Sequence, residues 1–486
     1  MEFCFVYVKC LGLSFTAYFG GFEGGFCVVL GFCRLWDGPM MLRLRRKHIL
    51  PSLLQSKPQV CYNLFDASVK WQRKLNRKLK AMNFIPHIEI YPNYEDGIFD
   101  DYNGTQRIAT NSYLKDGDIL YLMGGTVLCK YDISDSKNPR LLIRSDIAAD
   151  HTGDPAMDYI RKESAHSTAI VDIGEYLAIS LRGGGGGVSN MADGVIVGNI
   201  SIVYKKTLEK VREFNFENRV TYITKYKDIL IVSFHFHGFY IYKINKDADN
   251  IYCIFKHILA EKPRSAATRE FQNSTIFEVN KNIINIAFAS YLYGISVFTY
   301  DMENNLLSPC YGLDPKVFRD MHDPKYGIQN TVFGLTSKGN FVYGGITPGN
   351  NRFREQYKDV DWNRYDKRGI IYGPHDRLRE EHYHLELPSA DKPEYVGVIA
   401  GDPAPSFLCT ADNYLLFNLD KQGLGVAKIE NDGKLSYIGR ALEDPDGRML
   451  TYRIHFDGEF LYTSYKMPVS SAGKPPVFRM YKVSAT

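Results

Sequence analysis

The sequence predicts an all-β chain, a seven-bladed β-propeller preceded by a basic, partly helical N-terminal extension. Three observations carry that expectation. Apolar residues make up 45% of the chain and aromatics 14%, rich in Tyr and Phe, and aromatic side chains fit a pleated, half-buried surface. A polar turn followed by an apolar strand returns seven times from residue 105 onward. The seventh unit ends one strand short, while an unpartnered strand-like run stands before the first.

The turn-plus-strand cores read KDGDILYL, IGEYLAIS, YKDILIVS, NKNIINIA, SKGNFVYG, ADNYLLFN and DGEFLYTS, beginning near Lys115, Ile173, Tyr226, Asn280, Ser337, Ala411 and Asp457. Third strands are expected at VLCKYDI, ISIVYKK, FYIYKIN, ISVFTYD, HYHLELP, LGVAKIE and VFRMYKV. A period of about 40 to 50 residues with four short strands per unit is the signature of a propeller, in which each blade buries its faces against its neighbours. Because an unpaired edge invites aggregation, the missing last strand needs a donor. FIPHIEIYP at 84–92 is that donor, with Pro86 and Pro92 suited to an outer edge, where a lost N–H is tolerated. The expected domains are therefore an extension, 1–83, and a propeller, 84–486.

Charge divides the chain in the same way. Residues 40–83 hold eleven Lys and Arg against one Asp, whereas residues 84–486 are net acidic by five. Such a body repels backbone phosphates, so nucleic acid is not an expected partner. In WQRKLNRKLKAM, Trp71, Leu75, Leu79 and Met82 fall at helical spacing among basic residues. The predicted helix over 71–82 either lays that stripe on the body or docks on an anionic membrane. Residues 10–33 are apolar for about the length of a span, but Glu23 and six glycines make a poor spanning helix. A start at Met40 or Met41 is an alternative, since MMLRLRRKHILPSLLQSKPQV is Arg-rich and acid-free, like a transit peptide or basic anchor. The nine cysteines show no C-x-x-C, and read as buried reduced thiols in a monomer.

YDISDSKNPRLL at 131–142 and HLELPSADKPEYVG at 384–397 carry a further mark, an Asp/Ser corner closed by Pro. In this the chain resembles the LVIVD-repeat proteins, whose unit ends in a pattern like YDISDP-x-x-P. That resemblance implies a propeller, exported or membrane-associated, and it implies no reaction. The alternative start implies an intracellular or organellar place.

Long connections concentrate between strands two and three and between blades: Asp146–Ser164, Gly183–Gly194, Ala260–Phe271, Tyr311–Gly327, Thr347–Arg379 and Met467–Pro476. These emerge on one face, which is where binding residues concentrate on a rigid scaffold. The candidate ligand-binding residues are His166, His235, His237, Arg264, Arg269, His322, Asp323, Arg352, Arg354, His375, Asp376 and Arg377, with His151 and Asp154 beside them. The favoured reading is a non-catalytic scaffold that recognises a protein partner or an anionic ligand there. The alternative is a metal-dependent enzyme, oxygenase- or hydrolase-like, in which His166, His235 and His322 hold a divalent metal ion at the channel mouth. MHDPKYGIQNTVFGLT is similar to the His-Asp motif of carotenoid-cleaving oxygenases, the one part of their pattern present. The glycine run at 183–187 lacks the following helix and Lys-Ser/Thr of a phosphate loop. No Ser-His-Asp spacing, nucleophile elbow or H-E-x-x-H occurs.

Overall fold

The computed structural model describes the backbone of residues 4–10, 13–22 and 25–31, and then residues 82–91, 106–108, 110–147, 166–182, 198–235, 237–245, 250–259, 271–290, 293–309, 311–314, 317, 330–348, 359, 367–392, 405–443, 450–468 and 477–485. The chain divides into two compact units, Met1–Lys80 and Ala81–Thr486. In the first, β1 (Cys4–Cys10), β2 (Leu13–Phe22) and β3 (Gly25–Gly31) form an antiparallel sheet in that order. The predicted helix lies outside the described residues except at its end. There Met82 is a strand residue, buried at 5% exposure, not part of a helical stripe. Among the described residues no helix is long and apolar enough to cross a membrane.

The second unit opens with β4 (Met82–Ile90) and β5 (Gln106–Ile108). Blade 1 follows as β6 (Ser112–Asp116), β7 (Ile119–Gly124), β8 (Val127–Asp132) and β9 (Arg140–Asp146). Blade 2 is β10 (His166–Asp172), β11 (Tyr176–Arg182), β12 (Gly198–Tyr204) and β13 (Lys210–Phe216). Blade 3 is β14 (Val220–Tyr226), β15 (Ile229–Phe234), β16 (Gly238–Ile244) and β17 (Ile251–Ile258). In blade 4, β18 (Ser274–Glu278), β19 (Ile283–Ala289) and β20 (Ile295–Asp301) precede an outer strand broken into β21 (Leu306–Leu307) and β22 (Tyr311–Gly312). Blade 5 is β23 (Asn330–Lys338), β24 (Phe341–Pro348), β25 (Gly369–Pro374) and β26 (Tyr383–Glu386). Blade 6 is β27 (Leu408–Ala411), β28 (Tyr414–Asn418), β29 (Leu424–Ile429) and β30 (Leu435–Ala441). Blade 7 is β31 (Leu450–Phe456), β32 (Phe460–Pro468) and β33 (Phe478–Ala485), completed by β4, with β5 added against β32.

The sequence of each blade changes with distance from the axis. Second strands are buried on both faces, as in ILIVSF of β15, and therefore read as unbroken apolar runs. Outer strands alternate, as in KVREFNF of β13, because only one face meets a neighbour. Seven apolar clusters result, one for each junction between adjacent blades. Blades 2 and 3 share Ile200, Ile202, Leu230 and Val232; blades 7 and 1 share Tyr462, Phe478, Leu120 and Leu122, which closes the ring.

The hairpin turns between first and second strands take left-handed backbone at Gly117, Gly174, Lys227, Gly339, Asp412 and Gly458; Gly or Asp, which tolerate that conformation, fill all of these positions but Lys227. In blade 4 the Asn280 side chain does the work instead, accepting from the N–H of Asn282 and of Ile283 at 2.9 Å each. The closing strand β4 pairs along its length with β33, from Ile90 opposite Phe478 to Met82 opposite Ala485. Ile88 and Ile90 enter the junction of blades 7 and 1, and Met82 that of blades 6 and 7.

Blade 5 corrects the sequence reading. Its third strand is GIIYGP, and HYHLELP is the fourth. The glycines and the terminal Pro hid β25, whereas alternation in HYHLELP drew attention to an outer strand. Consequently YDISDSKNP follows a third strand while SADKP follows a fourth, so these two copies are not equivalent in the fold.

Candidate functional site

Connection lengths give the two faces of the ring different characters. First and second strands are joined by two to four residues in every blade, for instance 117–118, 227–228 and 279–282. At the other face lie the connections 147–165, 183–197, 259–273, 313–329, 349–368, 387–407 and 469–477. His166 opens β10 there, with Arg182 as its partner across the sheet. His235 and His237 belong to the two-to-three turn of blade 3. The His235 N–H donates to the Arg219 carbonyl at 2.9 Å, and His237 Nε2 lies 2.8 Å from the Tyr240 hydroxyl.

Arg264, Arg269, His322, Asp323, Arg352 and Arg354, with His151 and Asp154, lie outside the described residues. His375, Asp376 and Arg377 are placed on the opposite face, in the turn from β25 to β26, because the insertion ends before β25. His375 is a joint between blades. Its ring stacks on Phe277 of blade 4 at 4.0 Å, and Asn285 Nδ2 is 3.1 Å from its Nδ1. Burial lowers its pKa from 6.5, opposed by Asp376, so the ring is neutral near pH 7. Arg377 pairs instead with Glu381 at 3.1 Å, one helical turn along. Among the described residues, no group of three His, Cys, Asp or Glu is placed to hold a metal.

A cavity of about 600 Å³ runs where the seven first strands meet. Every blade contributes, with Ser112, Thr168, Thr221, Ser274, Thr336 and Thr410 from the first six and Arg453 and His455 from the seventh. None of the sequence-predicted candidates among the described residues lines it. Its wall is rich in hydroxyls because the first strands hydrogen-bond from blade to blade. Ser112 donates to Ser167 at 2.5 Å, Thr224 and Ser274 share a bond of 2.6 Å, and Thr275 and Ser337 one of 2.7 Å. Thr410 donates to the Ser337 carbonyl at 3.4 Å, the Thr451 N–H to Asp420 at 3.0 Å, and Ser464 to the Thr110 carbonyl at 2.6 Å. Each such bond adds about 1 kcal/mol; together they fix the wall before anything enters it.

Glycine lets blades 5 and 6 approach as closely as this requires. A Cβ at Gly334 would sit 1.9 Å from the Ser406 carbonyl oxygen, and one at Gly345 would sit 1.9 Å from that of Pro405. On the opposite face Lys205 ties blade 2 to blade 1, reaching Asp172 at 2.9 Å and Asp116 at 2.7 Å.

Arg453 lies at a bulge, where the β31–β32 register shifts between Thr451 and Ile454. The bulge re-aims its side chain. Nη1 donates to the Thr168 carbonyl of blade 2 at 2.7 Å, and the guanidinium lies 4.9 Å from the Phe407 ring centre of blade 6. His455 is open to the channel space yet deep among protein atoms, and desolvation lowers its pKa from 6.5. Tyr222, from blade 3, is raised above 10 by the same effect, partly offset by Arg453. No local motif marks these residues. The available signal was the Thr, Ser and aromatic content of first strands, in place of the aliphatic runs of second strands.

No family model and no curated protein matches this chain. Among solved structures, a chain in the crystal structure of the mitotic checkpoint complex is similar at 12% identity, over 83% of this chain and 96% of its own, with a TM-score of 0.47. Sqt1 of Saccharomyces cerevisiae is similar at 9% identity, over 77% of this chain and 96% of its own, with a TM-score of 0.46.

Proposed function

We propose that this protein is a non-catalytic β-propeller scaffold that holds a protein partner on its long-loop face. The observation that carries the reading is the asymmetry of the ring. Connections of nine residues or more recur around one rim, while the other holds first-to-second-strand turns of two to four residues and third-to-fourth-strand turns of four to eight. Loops on a rigid scaffold are free to vary without loss of core, and a whole rim of them makes a broad surface. The insertion 349–368 adds Arg352, Arg354, Tyr357, Trp362, Arg364 and Tyr365, and Trp, Tyr and Arg are the residue types that dominate binding energy at interfaces. On YDISDSKNPRLL, this proposal sets the chain beside the LVIVD-repeat propellers.

The test replaces 349–366, and separately 183–197, with short Gly/Ser linkers and follows both the melt and the proteins captured from cells. Partner capture is expected to fall at least tenfold with the melt within a few degrees of the parent. Capture that survives both replacements while a Lys434 and Asp432 double charge reversal on the other face abolishes it contradicts the proposal.

A further inference from the structure

We propose that the central channel is a binding site for a small organic carboxylate, held by Arg453 with Tyr222 and His455 on the same wall. This is a second site, independent of the partner surface on the loops. Its volume of about 600 Å³ falls within the range of small-molecule pockets, about 300–1,000 Å³. Its wall is fixed by the blade-to-blade bonds given above, so a ligand meets a formed site rather than one it must organise.

The charge on that wall selects the ligand. Among the described residues, the charged lining residues are Arg453, Lys225 and Asp172, and Asp172 is engaged by Lys205 at 2.9 Å. Arg453 is held by a carbonyl two blades away and by the Phe407 ring. A planar guanidinium fixed in this manner suits the two oxygens of a carboxylate, and its fork loses little freedom on binding. The Phe407 ring, packed against the core of blades 6 and 7, backs the guanidinium and helps to hold it in place.

The two neighbouring groups are neutral near pH 7, because desolvation raises the Tyr222 pKa and lowers that of His455. The Tyr222 phenol is therefore a donor, and it hydrogen-bonds to no described residue. His455 follows the bulge on β31, with its ring centre 6.4 Å from that of Tyr113 and 6.0 Å from that of Tyr462. Its imidazole presents one donor and one acceptor to the channel. A carboxylate uses the cation and the phenol, while the imidazole adds no second charge.

Arg453 could instead be only a strut between blades 7 and 2, so the test must separate holding the ring from holding an anion. Benzoate, benzamide and inorganic phosphate are titrated into the full-length protein by calorimetry and thermal melt. Benzoate is expected to bind saturably in the millimolar range or tighter, at least tenfold better than benzamide, which has the same ring without the charge. Arg453→Met should abolish the benzoate response. Should that variant not fold, Tyr222→Phe and His455→Gln carry the test, each weakening benzoate several-fold with no effect on benzamide. Equal responses to benzoate and benzamide, a benzoate response that survives all three substitutions, or saturable binding of phosphate without benzoate overturns the proposal.

Discussion

The ring of His375 in blade 5 lies stacked on Phe277 in blade 4, with centroids 4.0 Å apart and planes 17° from parallel. Asn285, also in blade 4, is within 3.1 Å of its Nδ1. Burial lowers the His375 pKa from 6.5, so protonation costs more in the folded chain than in the unfolded one. The stability tied to the neutral ring is complete above about pH 6.5; it is withdrawn as pH falls through the lowered folded value. His375→Phe keeps the stack and removes the proton, so its urea midpoint should fall less than the parent's between pH 7 and 5. His375→Ala should cost about 1–2 kcal/mol at pH 7.5. A parent and His375→Phe that lose stability in parallel on acidification would remove the joint from the account.

Gly334, with Gly345, makes the tightest approach between blades 5 and 6. Since a Cβ there meets backbone 1.9 Å away, no side-chain adjustment relieves it. Gly334→Ala should lower stability by about 2–3 kcal/mol, whereas Ala in place of exposed Lys281, in the short β18–β19 turn of the other face, should change it by less than about 0.5 kcal/mol. Chemical denaturation of the two variants compares them directly, and equal midpoints would deny that the blades touch here.

Residues 82–90 complete blade 7 from the far end of the chain, and Arg479 Nε donates to Glu89 across the seam at 2.6 Å. Deleting that strand exposes the edge of β33 and the apolar sides of two junctions. Removal of 82–90 is expected to abolish cooperative melting or lower it by more than ten degrees, and Ile88→Ala alone should cost about 2–4 kcal/mol. Removal of 1–39 should leave the propeller's melt in place. A protein lacking 82–90 that melts like the parent would mean the ring closes in another way.

Strands buried on two faces were legible because burial forces an apolar run, and the hairpin before each one needs Gly, Asn or Asp. That is why DILYLMG and DILIVSF stand out in the bare sequence. Blade 5 was misread where two conditions failed together: β25 is short and flanked by Gly and Pro, and it follows a 20-residue insertion. The channel was less legible still. Its wall is assembled from single residues such as Thr168, Tyr222 and Arg453, contributed by strands tens to hundreds of positions apart. Of the histidines read as metal candidates, His166 pairs with Arg182 at the start of β10 and His235 sits in a two-to-three turn, while His322 lies outside the described residues.

The central claim is that partners meet the long-loop rim and not the short-turn rim. Cross-linking of the full-length protein to its partners in cells, read by mass spectrometry, tests it most directly. Cross-links should fall on 147–165, 260–270, 315–329 and 349–366, through Lys162, Lys262, Lys316, Lys325 and Lys358. Cross-links gathered instead on Lys137, Lys227, Lys281 and Lys434, in the short turns, would contradict it.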